Sequence, residues 1–154
     1  MQFKTTYRTQ LSDTSLSDLE GVGTLRFQAG KLYKWVKYEE GTAALDVVAG
    51  DVVGYTLNDY GSSFVTADIT DMDTIPVMAG VMVAAVTVTN TYCWIQIGGA
   101  CTLATTADGT TPTAGDVITM SASDKNAAID PDANEVRTGF MTNTTTGVCL
   151  QCPW

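Results

Sequence analysis

The chain has 154 residues, of which 45% are hydrophobic, so it is long enough for one domain with a core of its own. Seventeen acidic residues against eight basic ones give a net charge of −9, and an acidic body repels the phosphate backbone of nucleic acids. The sequence contains no histidine, which excludes Ser-His-Asp and Cys-His nucleophile systems and removes the commonest metal ligand. We therefore expect a protein that is not an enzyme, with no cofactor, no metal and no nucleic-acid partner.

The basic residues are concentrated near the start of the sequence. Residues 1–37 hold six basic and three acidic residues, a local net of +3, whereas residues 38–154 hold two basic and fourteen acidic residues, a net of −12. The basic part either docks on an acidic protein surface or serves solubility alone. The first residues form no apolar export signal, and the apolar stretch Ile75–Val88 is interrupted by Pro76 and Gly80. We expect synthesis in a cytoplasm and no membrane partner.

Residues 1–22 differ in pattern from the rest of the chain. Ser17 and Glu20 have the spacing of a helical capping box, but Gly21 and Gly23 follow, so any helix here is limited to one or two turns. The first ten residues favour an extended arm, although a frayed terminus gives the same pattern. We therefore divide the chain into an N-terminal arm with a possible short helix (1–22) and a single β domain (23–154).

A β-hairpin follows the arm. Apolar and polar residues alternate from Thr24, Ala29-Gly30 is a turn signal, and Lys31–Tyr38 is the second strand. A two-residue turn sets Phe27 opposite Leu32 and Arg26 opposite Tyr33. One face of the hairpin then carries apolar side chains, namely Leu25, Phe27, Leu32 and Val36. The other face carries aromatic and basic side chains, namely Arg26, Lys31, Tyr33, Trp35 and Lys37, and forms either a contact surface for a partner or a second buried layer.

Further short strands are predicted along the rest of the chain, separated by turn residues. They are Val52–Leu57, Phe64–Ala67, Val81–Val88, Tyr92–Ile97, Cys101–Thr105, Asp116–Ser121, Val136–Met141 and Val148–Cys152. Threonine is abundant and suits half-exposed strands. The predicted fold class is all-β, a small β-sandwich or β-barrel domain with an extended N-terminal arm and at most one short helix.

One local pattern occurs twice. Ala49-Gly-Asp-Val-Val and Ala114-Gly-Asp-Val-Ile both place a Gly-Asp turn before β-branched residues. The pattern predicts the same kind of turn at the start of two strands, and it is too short to indicate a duplicated domain.

The four cysteines do not predict a metal or redox site. Cys149 and Cys152 have the spacing of such a motif, but they lie in a predicted strand, where residues three apart point to opposite faces. We expect reduced and partly buried thiols. A disulfide between Cys93 and Cys101, or one that involves Cys149, remains an open alternative.

Two acidic clusters are candidates for calcium ligands. They are Asp68, Asp71 and Asp73, and Asp130, Asp132 and Glu135. Neither has the glycine and terminal glutamate of an EF-hand, so solvated turns are the simpler interpretation. Paired carboxylates beside Trp35, Tyr92 and Trp94 would also suit glycoside chemistry or sugar stacking, but the sequence marks no cleft.

From about Gly21 onward the layout resembles the small capsid cement, or head decoration, proteins of tailed bacteriophages. The resemblance rests on the charged aromatic strand Lys31–Tyr38, a small-residue segment, an aromatic-then-glycine strand, two Gly-Asp turns and a closing Arg-Thr-Gly-Phe segment. The segments are Ala49–Val53, Met78–Val86, Tyr92–Ala100, Thr113–Val117 and Arg137–Phe140.

The resemblance implies a structural virion protein on the outer capsid surface, assembled in the host cytoplasm. Such a protein would bind the major capsid protein where capsomers meet and stabilise the shell against internal DNA pressure, as a homo-oligomer with a trimer favoured over a dimer. Its arm would order on the shell, with capsid-binding candidates Phe3, Lys4, Tyr7 and Arg8. The partner-surface candidates are Arg26, Tyr33, Trp35 and Lys37. The alternatives are another phage structural component (a fibre, tail or adhesin module) and a carbohydrate-binding module.

Overall fold

The computed structural model describes residues 6–56, 63–72, 76–109, 111–129 and 137–152. Within these ranges the regular structure consists of ten strands and a single turn of 3-10 helix at Ile69–Asp71. The strands are β1 (Leu25–Gln28), β2 (Lys31–Tyr38), β3 (Val52–Tyr55), β4 (Phe64–Thr66), β5 (Met78–Met82), β6 (Thr91–Thr102), β7 (Val117–Met120), β8 (Ala127–Ile129), β9 (Gly139–Met141) and β10 (Gly147–Gln151). The predicted all-β class is confirmed.

Five of the strands close into a barrel. β2 pairs with β6 along most of its length, and β6 pairs with β5, β5 with β3 and β3 with β4. The circle is closed by a parallel pair, in which Lys37 and Tyr38 of β2 lie opposite Phe64 and Val65 of β4. β1 pairs with the first half of β2, on the strand edge that β4 continues. Of the two predicted architectures, the barrel is therefore the one that forms.

The long strand β6 leaves the barrel and enters a second sheet. Its residues Gly98 to Thr102 pair with β10, which pairs with β9, and the sheet continues through β7 to β8. β6 bends at Gly98 and Gly99, where the side-chain amide of Gln96 donates to the carbonyls of Gly98, Gly99 and Ala100 at 3.0–3.2 Å. Gly99 has φ +85°, and a Cβ there would lie 2.8 Å from the Gly30 carbonyl oxygen, so this bend requires glycine.

One apolar core runs through the barrel into the second sheet. Val36, Val53 and Ile95 of the barrel are fully buried, and so is Ile118 of β7. Burial of this kind stabilises a side chain by about 1.5–3 kcal/mol. The two parts are also joined by a buried contact between the Thr138 hydroxyl and the Met78 sulfur at 3.1 Å.

The hairpin and the repeated turn agree with the sequence patterns. Phe27 lies opposite Leu32 and Arg26 opposite Tyr33, as predicted. The carboxylates of Asp51 and Asp116 each accept from the backbone N–H three residues earlier, at 2.9 and 2.8 Å. The same turn therefore precedes β3 and β7.

Several predicted strand limits are wrong. β5 spans Met78–Met82 instead of Val81–Val88, and Gly80 lies inside it at a point where the backbone of β6 passes close by. The segment Cys101–Thr105 was predicted as a separate strand, but its first two residues are the end of β6. The strand continues because Gly98 and Gly99 bend it instead of ending it. The predicted ends at residues 57 and 136 lie outside the described residues. β8 was not predicted, since its alanines carry a weak strand preference.

The segment 6–22 contains no helix. The Asp18 carboxylate accepts from the N–H groups of Gly21 and Val22, and Ser15 forms a bridge with Tyr92 of β6. Glu20 does not act in a capping box, since its carboxylate is buried against Thr9. No helix among the described residues is long and apolar enough to cross a membrane.

Candidate partner-binding face

The outer face of β2 and β6 buries an aromatic layer beneath the segment 6–22. Trp35 and Trp94 lie opposite each other, with ring centroids 5.2 Å apart at 61°, and both are 0% exposed. Tyr33 is also buried in this layer. Of the two alternatives predicted for this face, a contact surface for a partner or a second buried layer, the second buried layer is therefore correct. Tyr33 and Trp35 cannot contact a partner from these positions, which corrects their place among the partner-surface candidates.

Polar contacts hold the segment over the indoles. The Trp94 Nε1–H donates to the Thr9 hydroxyl and the Trp35 Nε1–H to Asp18 Oδ1, both at 2.9 Å. Glu20 is 2% exposed, and its Oε1 accepts from Arg8 N, Thr9 N and the Thr9 hydroxyl at 2.6–2.8 Å. A buried carboxylate is tolerated because hydrogen bonds to it replace those that water would donate.

Tyr7 and Arg26 complete the cover. The Tyr7 hydroxyl donates to the Leu25 carbonyl at 2.9 Å, and its ring meets the Trp94 ring edge-on at 5.7 Å. The Arg26 guanidinium lies 4.7 Å from the centre of the Tyr7 ring and donates to the Thr9 carbonyl. Burial raises the pKa of Tyr7, against the lowering effect of Arg26, so its hydroxyl stays a donor. Both side chains are thus engaged within the molecule.

The other two capsid-binding candidates of the arm, Phe3 and Lys4, lie outside the described residues. Arg8 is exposed, and it is the backbone N–H of this residue that donates to the Glu20 carboxylate. Its guanidinium therefore belongs to the surface of the docked segment.

Apolar and basic side chains of the covering segment and of the neighbouring strands β2 and β4 form a group that we call the docking face. It consists of Arg8, Leu16, Leu19, Lys37 and Phe64. Leu16 is 71% exposed, Leu19 40% and Phe64 37%. Large side chains exposed together on a monomer are typical of interaction sites.

Backbone pairing brings Leu16, Lys37 and Phe64 to one region. Ser15, the residue before Leu16, bridges to Tyr92, which lies opposite Lys37. Lys37 in turn lies opposite Phe64, with its ammonium 5.2 Å from the centre of that ring. The Lys37 ammonium also forms an ion pair with the Glu39 carboxylate at 3.3 Å, so its positive charge is partly balanced within the chain. Lys37 is the partner-surface candidate that remains accessible together with apolar neighbours.

All four cysteines are free thiols. Val148 lies opposite Cys101 and Cys149 opposite Ala100, so Cys101 and Cys149 point to opposite faces of the β6–β10 pair. Within the described parts of the chain, no group of three or more His, Cys, Asp or Glu residues could hold a metal ion.

Burial raises the pKa of Cys93 and of Cys101 to about 12, and that of Cys152 further. Because thiols in the unfolded chain ionise near pH ~8.5, the folded state binds more protons above that pH. The stability contribution is complete below pH ~8.5 and should fall by about 1.4 kcal/mol per pH unit for each buried thiol above it. Urea unfolding from pH 8 to 10 measures the slope. Cys93→Ala should make the slope shallower, since Cys101 and Cys152 still contribute, and an unchanged slope would show that burial of Cys93 is not among its causes.

The acidic cluster around Asp68 and Asp71 has a structural role. The Asp68 carboxylate accepts from the N–H groups of Thr70 and Ala43 at 2.9 and 2.7 Å, and Asp71 accepts from Thr42. Burial would raise the pKa of Asp68, but hydrogen bonds from Thr70 and Ala43 outweigh it and lower that pKa. These two residues fix the loop at 41–43. Asp73, Asp130, Asp132 and Glu135 lie outside the described residues.

A scan against protein-family models and a search of curated proteins each found no match to this chain. The fold and the docking face are therefore the observations on which a function can be argued.

Proposed function

We propose that this chain is a capsid cement, or decoration, protein that binds the outer surface of a shell of major capsid proteins at capsomer junctions. The observation that carries the proposal is the docking face, where the exposed side chains of Leu16 and Leu19 lie on a segment that is docked on the barrel and also carries Arg8. Apolar contacts supply affinity in such an interface, and Arg8 and Lys37 can pair with acidic groups of the partner. The resemblance in layout supplies the identity of that partner.

The docking face is held in place before binding. The segment that carries Arg8, Leu16 and Leu19 is fixed through Glu20 to Thr9 and through Asp18 to Trp35. A segment whose backbone is already ordered avoids the entropic cost of ordering it on contact, about 1–2 kcal/mol per residue. A segment that is ordered before contact favours long-lived binding to a partner.

The size of the molecule fits a protein that works in many copies. An interface of standard size takes ~800 Å² from each partner, about a tenth of the 7213 Å² surface of the described chain. One such contact is modest, but a homo-oligomer that spans a capsomer junction gains avidity, since its later contacts are intramolecular. A trimer suits the threefold junctions of an icosahedral shell and is the state that we favour.

The proposal is tested with decoration-free shells of the major capsid protein encoded by the same genome. Leu16→Asp/Leu19→Asp should reduce binding at least tenfold, because it places two carboxylates in an interface that recognises an acidic surface. Val88→Asp is the control for an added carboxylate, since Val88 is 52% exposed and lies outside the docking face and the turn before β3. Bound copies per particle are measured after sedimentation. Wild-type binding by the double variant would contradict the docking face, and no binding of the wild-type chain would contradict the function.

The alternatives predict different results in the same material. Labelled chain found over the whole shell supports decoration, whereas label confined to the tail would favour a fibre or tail component. For a carbohydrate-binding module, the sugar-stacking candidates Trp35 and Trp94 are 0% exposed, so neither ring can meet a sugar from solvent. Binding on a glycan array that is lost in Trp94→Phe would nevertheless favour that alternative.

A further inference from the structure

A groove lies in the corner that the bend of β6 creates. It has a volume of about 560 Å³ and is bounded by the end of β5, the turn before β3 and the β6 residues beyond Gly99. Ligand sites in proteins commonly occupy about 300–1,000 Å³. The lining residues with accessible surface are Lys31, Ala49, Val83, Ala100, Cys101 and Thr102, and the buried residues Met82, Gln96 and Leu103 lie beneath them as the floor. Val83 also packs against the aromatic layer, so the groove adjoins the outer face of the barrel.

Among the groove residues, Lys31 carries the one charge that a ligand could pair with. The Gln96 side-chain amide is committed to three carbonyls of the bend. The Cys101 thiol is neutral near pH 7, because burial raises its pKa to about 12 despite the opposite effect of the nearby Lys31 ammonium. In the parts of the chain that the structure describes, no carboxylate forms an ion pair with Lys31. An unpaired ammonium beside an apolar wall is a site for a carboxylate that carries aliphatic groups.

We propose that this groove binds an extended segment of the partner protein in which a carboxylate is flanked by aliphatic side chains, with the carboxylate paired to Lys31. The inference rests on the proposed function and names the part of the shell protein that the chain would hold. Charge complementarity selects this occupant, because Lys31 is the one charged side chain among the groove residues and most of the others are apolar. An extended segment also suits the groove, since alternate side chains of such a segment can enter it.

The chemistry of the groove can be tested without the partner. Octanoate serves as the probe, since it combines a carboxylate with an aliphatic chain, and octylammonium is the matched control of opposite charge. The methyl NMR signals of Ala49, Val83 and Ala100 should shift with octanoate and stay in place with octylammonium. Lys31→Glu should reverse this preference while the remaining methyl signals show an unchanged fold. Absence of octanoate shifts at the groove, or equal shifts with both probes, would overturn the proposal.

The partner is tested separately with the decoration-free shells. Lys31→Glu should weaken binding at least tenfold, whereas Lys125→Glu makes the same charge change away from the groove and should bind as the wild type does. If octanoate binds but Lys31→Glu leaves shell binding unchanged, the groove is not a shell contact and the proposal fails while the proposed function stands. If the wild-type chain does not bind shells at all, the proposed function fails, whatever the octanoate result.

Two other occupants would give recognisable results. Tighter octanoate binding after deletion of residues 1–5 would identify the start of the same chain as the occupant. Self-association that is lost in Lys31→Glu would identify a second copy. Either result would overturn a partner segment as the ligand.

Discussion

Replacing Trp94 with alanine should lower the free energy of unfolding by about 3–5 kcal/mol, the usual loss for a fully buried tryptophan. The indole is 0% exposed and lies between the ring of Trp35, at 5.2 Å, and that of Tyr7, at 5.7 Å. Its Nε1–H also donates to the Thr9 hydroxyl, so truncation removes the floor of the layer and a contact that holds the segment above it. Urea unfolding followed by circular dichroism measures the loss.

Two control variants separate packing from hydrogen bonding at this position. Trp94→Phe keeps most of the aromatic contact but loses the N–H, and should cost about 1–2 kcal/mol. Val88→Ala changes a side chain that is 52% exposed and should stay within about 0.5 kcal/mol. A loss below about 1 kcal/mol for Trp94→Ala would contradict the packing of this ring against Trp35 and Tyr7.

Glu20→Ala should cost about 3 kcal/mol, because it leaves the N–H groups of Arg8 and Thr9 without their acceptor. The effect should be largest in the segment 6–22, where Glu20 and Thr9 join two parts of the cover. Amide hydrogen exchange is the measurement that locates it. Protection of the Thr9 amide should be lost first, while the amides of β3 and β5 keep most of theirs.

Glu20→Gln is the matched variant for this carboxylate. It keeps a side-chain oxygen where Oε1 accepts but removes the charge, so it should cost about 1 kcal/mol. Equal losses for the alanine and glutamine variants would assign the effect to charge instead of hydrogen-bond geometry. Unchanged exchange at Thr9 in Glu20→Ala would contradict the role of Glu20 in holding the segment.

Local patterns predicted the parts of the fold that local physics determines. The alternation in Lys31–Tyr38 gave the bounds of β2, and the two-residue turn gave the register of the hairpin. The Gly-Asp turns before β3 and β7 were recognisable because Asp51 and Asp116 each satisfy a backbone donor three residues earlier. None of these features depends on a distant partner.

The closure of the barrel could not be predicted in this way. It depends on a parallel pairing of β2 with β4, whose facing residues are separated by a long stretch of chain. It also depends on β6 continuing through Gly98 and Gly99, residues that usually mark the end of a strand. Phe27 shows the same limit, since it shares a hairpin face with buried Leu25 yet is 66% exposed where the hairpin extends past the closed barrel.

Of the five residues of the docking face, the sequence analysis named only Arg8 and Lys37 as candidates. The sequence placed Tyr33 and Trp35 on a face with basic residues, and whether that face was buried depended on a cover supplied by Thr9, Asp18 and Glu20. The spacing of Ser17 and Glu20 suggested a helix, which concealed that Glu20 turns inward. Leu16 and Leu19 were visible as apolar residues in a polar segment, but their exposure follows only from the position of that segment on β6.

The position of β10 has a consequence for synthesis on the ribosome. The strands of the barrel all begin within residues 31–91, so the barrel can close while the later part of the chain is still being translated. β10 comes last among the strands but lies between β6 and β9, and until residues 147–151 have emerged, the Gly98–Thr102 half of β6 lacks this partner. The nascent chain therefore exposes a strand edge open to wrong pairing for a longer time than the barrel does. A pause in translation after β6 has emerged from the ribosome and before β10 has emerged would prolong that period.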